Sequence, residues 1–138
     1  MFIDASVIVA VIAREAGYEA FEQKLAEHGG PFHVSALARF EAVQAIARIA
    51  AAGLKPNAKQ LTDAGEVVDE MLGERDMRYV DLSEDIGRLA VTASATYGKA
   101  VGHPAALNMG DCFAYACAKS LNVPLLYKGD DFAKTDLA

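Results

Sequence analysis

Several carboxylates in this sequence stand beside short apolar segments, where the fold could bring them together into one site. These acids are Asp4, Glu41, Asp111 and the neighbouring pair Asp130 and Asp131. Converging carboxylates repel one another unless a cation holds them. Their hard oxygen atoms suit Mg²⁺ or Mn²⁺ better than zinc, so the chemistry that they predict is that of a divalent-metal site.

Each acid, taken singly, also has a purely structural interpretation. Asp4 and Asp111 stand where helices are expected to begin, and an N-cap stabilises a helix by about 1 kcal/mol. Glu41 falls on the polar arc of its predicted helix, which is typical of a solvated residue. Asp130 and Asp131 follow Gly129, which fits ordinary turn chemistry. Taken singly, Asp4 and Asp111 are better interpreted as caps, and only the combination of acids favours a site.

Other kinds of site have less support. The histidines show neither metal-ligand spacing nor a neighbouring Ser or Cys nucleophile; they are His28, His33 and His103. Gly29 and Gly30 precede a proline rather than a helix, so they do not form a phosphate-binding loop. A phosphoaspartate hydrolase would carry a second Asp two residues after Asp4, where Ser6 stands.

Composition and charge narrow the class of protein. The 138 residues suffice for one domain with a hydrophobic core, and no apolar run approaches the roughly 20 residues that span a bilayer. The net charge of −6 argues against a broad basic face for nucleic acid, but bound cations could supply positive charge locally. Cys112 and Cys117 lie roughly 140° apart on one predicted helix and cannot pair. Free thiols and an N-terminus without a basic region predict a cytoplasmic protein.

Short apolar segments alternate with helical patterns, and these elements must position the acids. We predict strands at 2–3, 32–34, 78–81 and 123–127, and helices at 5–13, 16–27, 35–52, 56–72, 84–97 and from 108 onward. One long buried strand is an alternative at the N-terminus, but the interruption at Asp4-Ala5-Ser6 favours a break. The third helix is expected to bury an apolar arc that includes Phe40 and Ile49, with Glu41 on the other side.

This alternation predicts a single α/β domain over residues 1–138, with a short parallel sheet covered by helices on both faces. Ligands of such sheets collect at the carboxyl ends of the strands. Asp4 directly follows the first strand and Asp131 follows the last, while Glu41 lies two turns into the helix after the second strand. The placement of Asp111, which opens the helix before the last strand, depends on the intervening path.

Longer motifs around these acids resemble a known protein family. The motifs are Ile3-Asp4-Ala5-Ser6, Leu107-Asn108-Met109-Gly110-Asp111-Cys112-Phe113-Ala114-Tyr115-Ala116, Leu125-Leu126-Tyr127-Lys128-Gly129-Asp130-Asp131-Phe132 and Thr135-Asp136. Together with Glu41 they resemble the PIN-domain ribonucleases, and specifically the VapC toxins of type II toxin–antitoxin systems. The resemblance extends from Ile3 to Leu137, and the second and third motifs are its most specific parts.

The resemblance implies a three-layer α/β/α fold of PIN type and an endoribonuclease that uses Mg²⁺ or Mn²⁺. The catalytic residues that it implies are Asp4, Glu41, Asp111 and Asp131. Of these, Asp4 and Asp111 are expected to bind the metal. Asp131 is preferred to Asp130 because members of the family often carry their functional Asp directly before a phenylalanine. Ser6 is expected to orient a carboxylate by hydrogen bonding.

The resemblance also implies partners, namely an RNA substrate, a VapB-type antitoxin and a second copy of the chain in a homodimer, which could join a higher toxin–antitoxin assembly. The antitoxin is expected to insert a basic side chain, most simply Arg, into the acidic pocket. Side chains that could contact the RNA backbone, and could equally be solvated, are Arg14, His103, Lys128 and Lys134. Two other classes stay open: a PIN-like nuclease in RNA maturation or DNA processing, and a non-enzymatic acidic α/β binding module.

Overall fold

Four short parallel strands form the central sheet of the protein. The computed structural model describes residues 1–137. The strands are β1 (Phe2–Ile3), β2 (Phe32–Ser35), β3 (Met77–Val80) and β4 (Leu125–Leu126). Their order across the sheet is β3-β2-β1-β4, and every pairing is parallel, as predicted. β4 is shorter than the predicted 123–127, since Pro124 within that range has no N–H to donate.

Six α-helices flank this sheet within residues 1–137. They are α1 (Ala5–Ile12), α2 (Tyr18–Glu27), α3 (Ala36–Ala50), α4 (Ala58–Gly73), α5 (Glu84–Tyr97) and α6 (Met109–Leu121). Polar side chains cap most of them; Ser35, for example, accepts a 3.0 Å hydrogen bond from the N–H of Ala38 at the start of α3. None of the helices in this part of the chain is long and apolar enough to cross a membrane.

The helices cover both faces of the sheet, which gives the protein two hydrophobic cores and three layers. On one face α1 to α4 pack against Ile3, Val34 and Leu126. On the other face α5 and α6 pack against Phe2 and Leu125. Successive residues of a strand point to opposite faces, so Phe2 and Ile3 are both fully buried but belong to different cores. The predicted three-layer α/β/α architecture is confirmed.

The orientation of α3 differs from the prediction. The side chains that it buries are Ala38, Ala42, Val43 and Ala47, whereas Phe40 and Ile49 are 57% and 52% exposed. The reason lies in the neighbours of this helix, since α1, α4 and α6 all contact it. Alanine side chains let three helices approach closely where larger ones would hold them apart. The rotation turns Glu41 toward α6 rather than into solvent.

The segment between α6 and β4 brings the last strand beside the first. α6 ends at Leu121, and the φ of 51° at its C-cap, Asn122, lies in the left-handed region that asparagine tolerates. The chain then pairs with β1: the N–H of Phe2 donates to the carbonyl of Pro124 at 2.8 Å, and the N–H of Asp4 donates to that of Leu126 at 3.0 Å. The backbone of Asp4 is thereby fixed by β4, although 122 residues of sequence separate Asp4 from Leu126.

Candidate active site

An open acidic cavity of about 370 Å³ lies at the carboxyl ends of β1 and β4. The chain passes from β1 to β2 and β3 on one side of the sheet and returns to β4 on the other, so the strand order reverses between β1 and β4. Open parallel sheets bind ligands at such switch points. The charged side chains that line the cavity are those of Asp4, Glu15, Glu41, Asp111, Lys128 and Asp131.

Asp4 is placed by the junction between β1 and α1. Only 6% of this residue is exposed, and it caps α1 by accepting a 2.9 Å hydrogen bond from the N–H of Ser6. The Ser6 hydroxyl donates a second bond, of 2.5 Å, to the same Oδ2 atom and accepts a 3.0 Å bond from the N–H of Lys128. Burial raises the pKa of Asp4, and the charge of Asp131 raises it further, against the opposing effect of the bonds from Ser6.

Asp111 belongs both to a helix cap and to the cavity wall. The N-cap of α6 is Asn108, whose Oδ1 accepts a 3.1 Å bond from the N–H of Asp111, while Oδ2 of Asp111 accepts a 2.8 Å bond from the N–H of Asn108. This capping box corrects the interpretation of Asp111 as the N-cap, because it places Asp111 at the third helical position. Burial raises the pKa of Asp111 to about 6; the charges of Asp4 and Asp131 also raise it, and the bond from Asn108 opposes them.

Glu41 reaches the cavity because α3 passes beside the first turn of α6. Its carboxylate lies against the Cα atom of Gly110, so closely that a Cβ atom at Gly110 would overlap both carboxylate oxygens. Burial raises the pKa of Glu41 to about 7, and the charges of Asp4 and Asp111 raise it as well. Glu41 is therefore half-buried among other acids, not solvated on a polar arc.

The fourth acid comes from the turn after β4. Asp131 lines the cavity, and its charge acts on both Asp4 and Asp111. Asp130 and Asp131 are both exposed, but only Asp131 is among the residues that line the cavity. The structure thus brings all four sequence-predicted acids to one cavity, while their roles in catalysis and metal binding stay predictions.

Two residues that shape the site, one in the cavity wall and one behind Glu41, were missed by sequence reasoning. Glu15 stands in the polar connection between α1 and α2, where no spacing distinguishes it from a surface acid. In the structure its Oε2 atom forms an ion pair with Nζ of Lys128, and the two side chains are 36% and 34% exposed. Gly110 was missed because its contact with Glu41 joins two separate helices, which periodicity cannot show.

The donor set fits a hard divalent cation, although the side chains do not form a closed cage. Among residues 1–137, no three His, Cys, Asp or Glu side chains are close enough together to hold one ion. Mg²⁺ keeps several water ligands and is commonly held by one or two carboxylates, so a closed cage is not required. Burial is the main reason that the pKa values of Glu41 and Asp111 are raised, and a cation beside them would lower both.

The raised pKa of Glu41 predicts that the metal-free protein loses stability as the pH rises. Glu41 has an ordinary pKa of 4.5 and a pKa of about 7 in the folded protein, so the folded state binds the proton more tightly than the unfolded chain. Its contribution to stability is therefore present at low pH and is lost as the pH rises from about 4.5 through 7. In urea titrations with EDTA, we expect the free energy of unfolding to be about 1–2 kcal/mol higher at pH 5 than at pH 8, allowing for solvent screening.

The variant Glu41→Gln cannot titrate, so most of this pH dependence should disappear in it. Asp63→Asn is the control, because Asp63 lies in an exposed ion pair with Lys59 on α4, and it should retain the dependence. The same pH dependence in Glu41→Gln as in the wild type would show that Glu41 is not its source.

Gly110 is predicted to be required for the position of Glu41. Alanine is favoured over glycine inside a helix by roughly 0.5–1 kcal/mol, but a methyl group at Gly110 would displace the Glu41 carboxylate. We expect Gly110→Ala to raise the melting temperature less in the wild type than in a Glu41→Ala background, because only the wild type has to move the Glu41 side chain. Gly87→Ala on α5, where a Cβ atom meets nothing within 4 Å, is the matched control and should raise it equally in both. Equal effects of Gly110→Ala in the two backgrounds would contradict the contact.

Proteins of one family match the whole described chain. The family model for the PIN domain matches residues 1–137. A VapC ribonuclease of Rhizobium meliloti (strain 1021) is 45% identical over 99% of this chain and 98% of its own length. Ribonuclease VapC42 of Mycobacterium tuberculosis is 31% identical over 99% of this chain and 96% of its own length. The crystal structure of Mycobacterium tuberculosis VapC20 shares the fold, with a TM-score of 0.71 at 16% identity over 96% of this chain and 92% of that one. The chain therefore belongs to the PIN-domain family and, within it, to the VapC proteins.

Proposed function

We propose that this protein is a metal-dependent endoribonuclease that acts as the toxin of a type II toxin–antitoxin pair. The observation that carries the proposal is the convergence of Asp4, Glu41, Asp111 and Asp131 on one cavity at the switch point of the sheet. Acids held together in this way destabilise the metal-free fold, and such perturbed groups in a cleft are typical of a functional site. The relatives named ribonucleases support RNA as the substrate. VapC20, described as a toxin that cleaves the sarcin-ricin loop, supports a toxin role.

The proposed roles of the four acids are those that the family resemblance implies. Asp4 and Asp111 would hold Mg²⁺ or Mn²⁺, and Glu41 and Asp131 would complete the site directly or through water. When bound, such an ion would supply an activated water for attack at phosphorus and would shield phosphate charge.

Hydrogen bonds already orient both proposed ligands. Ser6 donates two bonds to Oδ2 of Asp4, and Asn108 donates one bond to Oδ2 of Asp111. Because these carboxylates are held before any cation arrives, less conformational freedom has to be lost on binding. Capping and metal binding are compatible in one residue, since a carboxylate has two oxygens with two lone pairs each.

The charge of the cavity supports a VapB-type antitoxin as partner. Five carboxylates and a single lysine line it. A guanidinium group offers a planar set of donors that matches carboxylates, so an arginine from the antitoxin would reduce the negative charge of the cavity and occupy the place of the cation. We also propose a cytoplasmic location, which is consistent with Cys112 and Cys117 being free and buried.

An apolar surface beside the cavity supports a homodimer. Phe40, Val91 and Met109 are 57%, 71% and 66% exposed. Met109 lines one pocket together with Phe40 and Glu41, and a second pocket, of about 500 Å³, together with Val91. A continuous exposed apolar surface is typical of a protein–protein interface. A second copy bound there would place two acidic cavities near one interface, and higher toxin–antitoxin assemblies could form from such dimers.

Replacing either proposed ligand is expected to abolish RNA cleavage while the protein stays folded. Asp4→Asn and Asp111→Asn each remove one negative charge and nearly preserve the shape of the side chain. With Mg²⁺ or Mn²⁺ and single-stranded RNA, the cleavage rate should fall more than about 100-fold, since even the partners of metal ligands contribute 10- to 100-fold. The rates are measured on gels, with circular dichroism to establish folding.

Asp131→Asn and Asp130→Asn form a matched pair in the same assay. The first should lose cleavage and the second, whose side chain does not line the cavity, should retain it. Undiminished cleavage by folded Asp4→Asn or Asp111→Asn would refute the assigned roles. A wild-type protein that cleaves no RNA with either metal would instead favour a binding module whose acids serve as helix caps.

Divalent metal is expected to stabilise the folded protein by mass action. At ten times its Kd a ligand that binds only the folded state adds about 1.4 kcal/mol, which corresponds to a rise of about 3–6 °C in melting temperature for a chain of this size. We expect this rise when MnCl₂ replaces EDTA at constant ionic strength, and a smaller rise in the Asp4→Asn, Asp111→Asn double variant. An unchanged melting temperature at millimolar Mn²⁺ would count against a metal site.

A further inference from the structure

Lys128 is the only basic side chain that lines the acidic cavity within residues 1–137. Its Nζ atom forms an ion pair with Oε2 of Glu15 at the cavity wall. Both side chains are about one-third exposed, so the pair can be reached from solvent.

The backbone of Lys128 is held more firmly than its side chain. Its N–H donates a 3.0 Å hydrogen bond to Ser6 Oγ, and that hydroxyl donates to Oδ2 of Asp4. The next residue, Gly129, has a φ of 104°, which turns the chain toward Asp131. The lysine stem therefore extends from a point fixed relative to Asp4, while its four-carbon chain leaves the ammonium group free to choose between neighbouring anions.

The charge of the cavity creates a problem for an anionic substrate. Each nucleotide of an RNA strand carries a phosphate, and five carboxylates surround the place where that phosphate must lie. One divalent cation offsets two of these charges. A basic side chain that can move from a carboxylate to a phosphate would lower the repulsion further, and it would do so only when the substrate is present.

The pair with Glu15 is suited to such an exchange. Ion pairs between partly exposed side chains contribute about 0–1 kcal/mol, so breaking this one costs little. A phosphate offers several acceptor oxygens to the three donors of an ammonium group, which is enough to replace a single carboxylate contact.

We propose that Lys128 is the phosphate-binding residue of this site and that Glu15 holds its ammonium group in the RNA-free protein, releasing it when a backbone phosphate enters the cavity. This inference rests on the proposed function, because it takes RNA as the substrate. In addition to the four acids, the site then has a residue that contacts the substrate, Lys128, and a carboxylate that competes with the substrate phosphate for that lysine, Glu15. Neither Lys128 nor Glu15 binds the metal in this scheme.

The test measures binding of a fluorescein-labelled single-stranded RNA oligonucleotide by anisotropy, in the Asp111→Asn background so that the RNA is not cut. Lys128→Gln should remove one phosphate contact, which lowers the slope of log K against log salt by about 0.7 and weakens binding about fivefold at 0.1 M salt. Lys128→Arg should restore both quantities. Glu15→Gln should tighten RNA binding. The gain in affinity should be smaller in the Lys128→Gln background, where there is no ammonium group to release.

Lys119→Gln is the matched control, because Lys119 is similarly exposed (36%) and also paired with a carboxylate, that of Asp136, but does not line the cavity. It should leave the salt slope unchanged. An unaltered slope in Lys128→Gln, beside wild-type protein that cleaves RNA, would overturn the inference and leave the proposed function standing. A lower melting temperature for Lys128→Gln with no change in slope would identify the pair as structural only. Wild-type protein that neither binds nor cleaves RNA would overturn both proposals.

Discussion

The mutual repulsion of four carboxylates is the constraint on which the rest of this structure depends. They come from the end of β1, the middle of α3, the start of α6 and the turn after β4, and left to themselves they would separate. The scaffold prevents this by enclosing the elements that carry them. Phe2 and Ile3 are fully buried in opposite cores, and α6 buries most of its surface between α5 and the sheet. A two-residue strand is enough to place Asp4 because both faces of that strand are covered.

The position of an acid in the fold could be predicted from the sequence where it depends on the residues next to it in the chain. Asp4 and Asp131 follow strands directly, so finding the strands placed both acids at the carboxyl edge of the sheet. Asp111 was less certain, since its place depends on how the chain enters α6. Glu41 was the hardest of the four, because an alanine-rich helix has small apolar residues on several sides and its buried arc cannot be chosen from periodicity. Glu15 could not be found at all, since its partner Lys128 is far away in sequence.

Asp111 takes part in a helix cap and lines the cavity at the same time. From the sequence, capping and metal binding are alternatives for the carboxylate at the start of this helix. In the fold Asn108 takes the N-cap position, and Asp111 returns one oxygen to it from the third position. The same acid is partly buried beside Asp4 and Asp131. Capping therefore becomes a means of orienting the carboxylate, much as Ser6 orients Asp4.

The pairing of β1 with β4 has a consequence for when the site exists during synthesis. Ser6 and Lys128 are bonded across a separation of 122 residues, and Asp131 follows later still. A chain emerging from the ribosome carries Asp4 and Glu41 early, but it lacks the strand that fixes Asp4 and the fourth acid of the cavity. Contacts so distant in sequence form late, after the intervening helices have packed. The four-acid cavity is thus completed only after β4 has paired with β1 and the turn that carries Asp131 has followed.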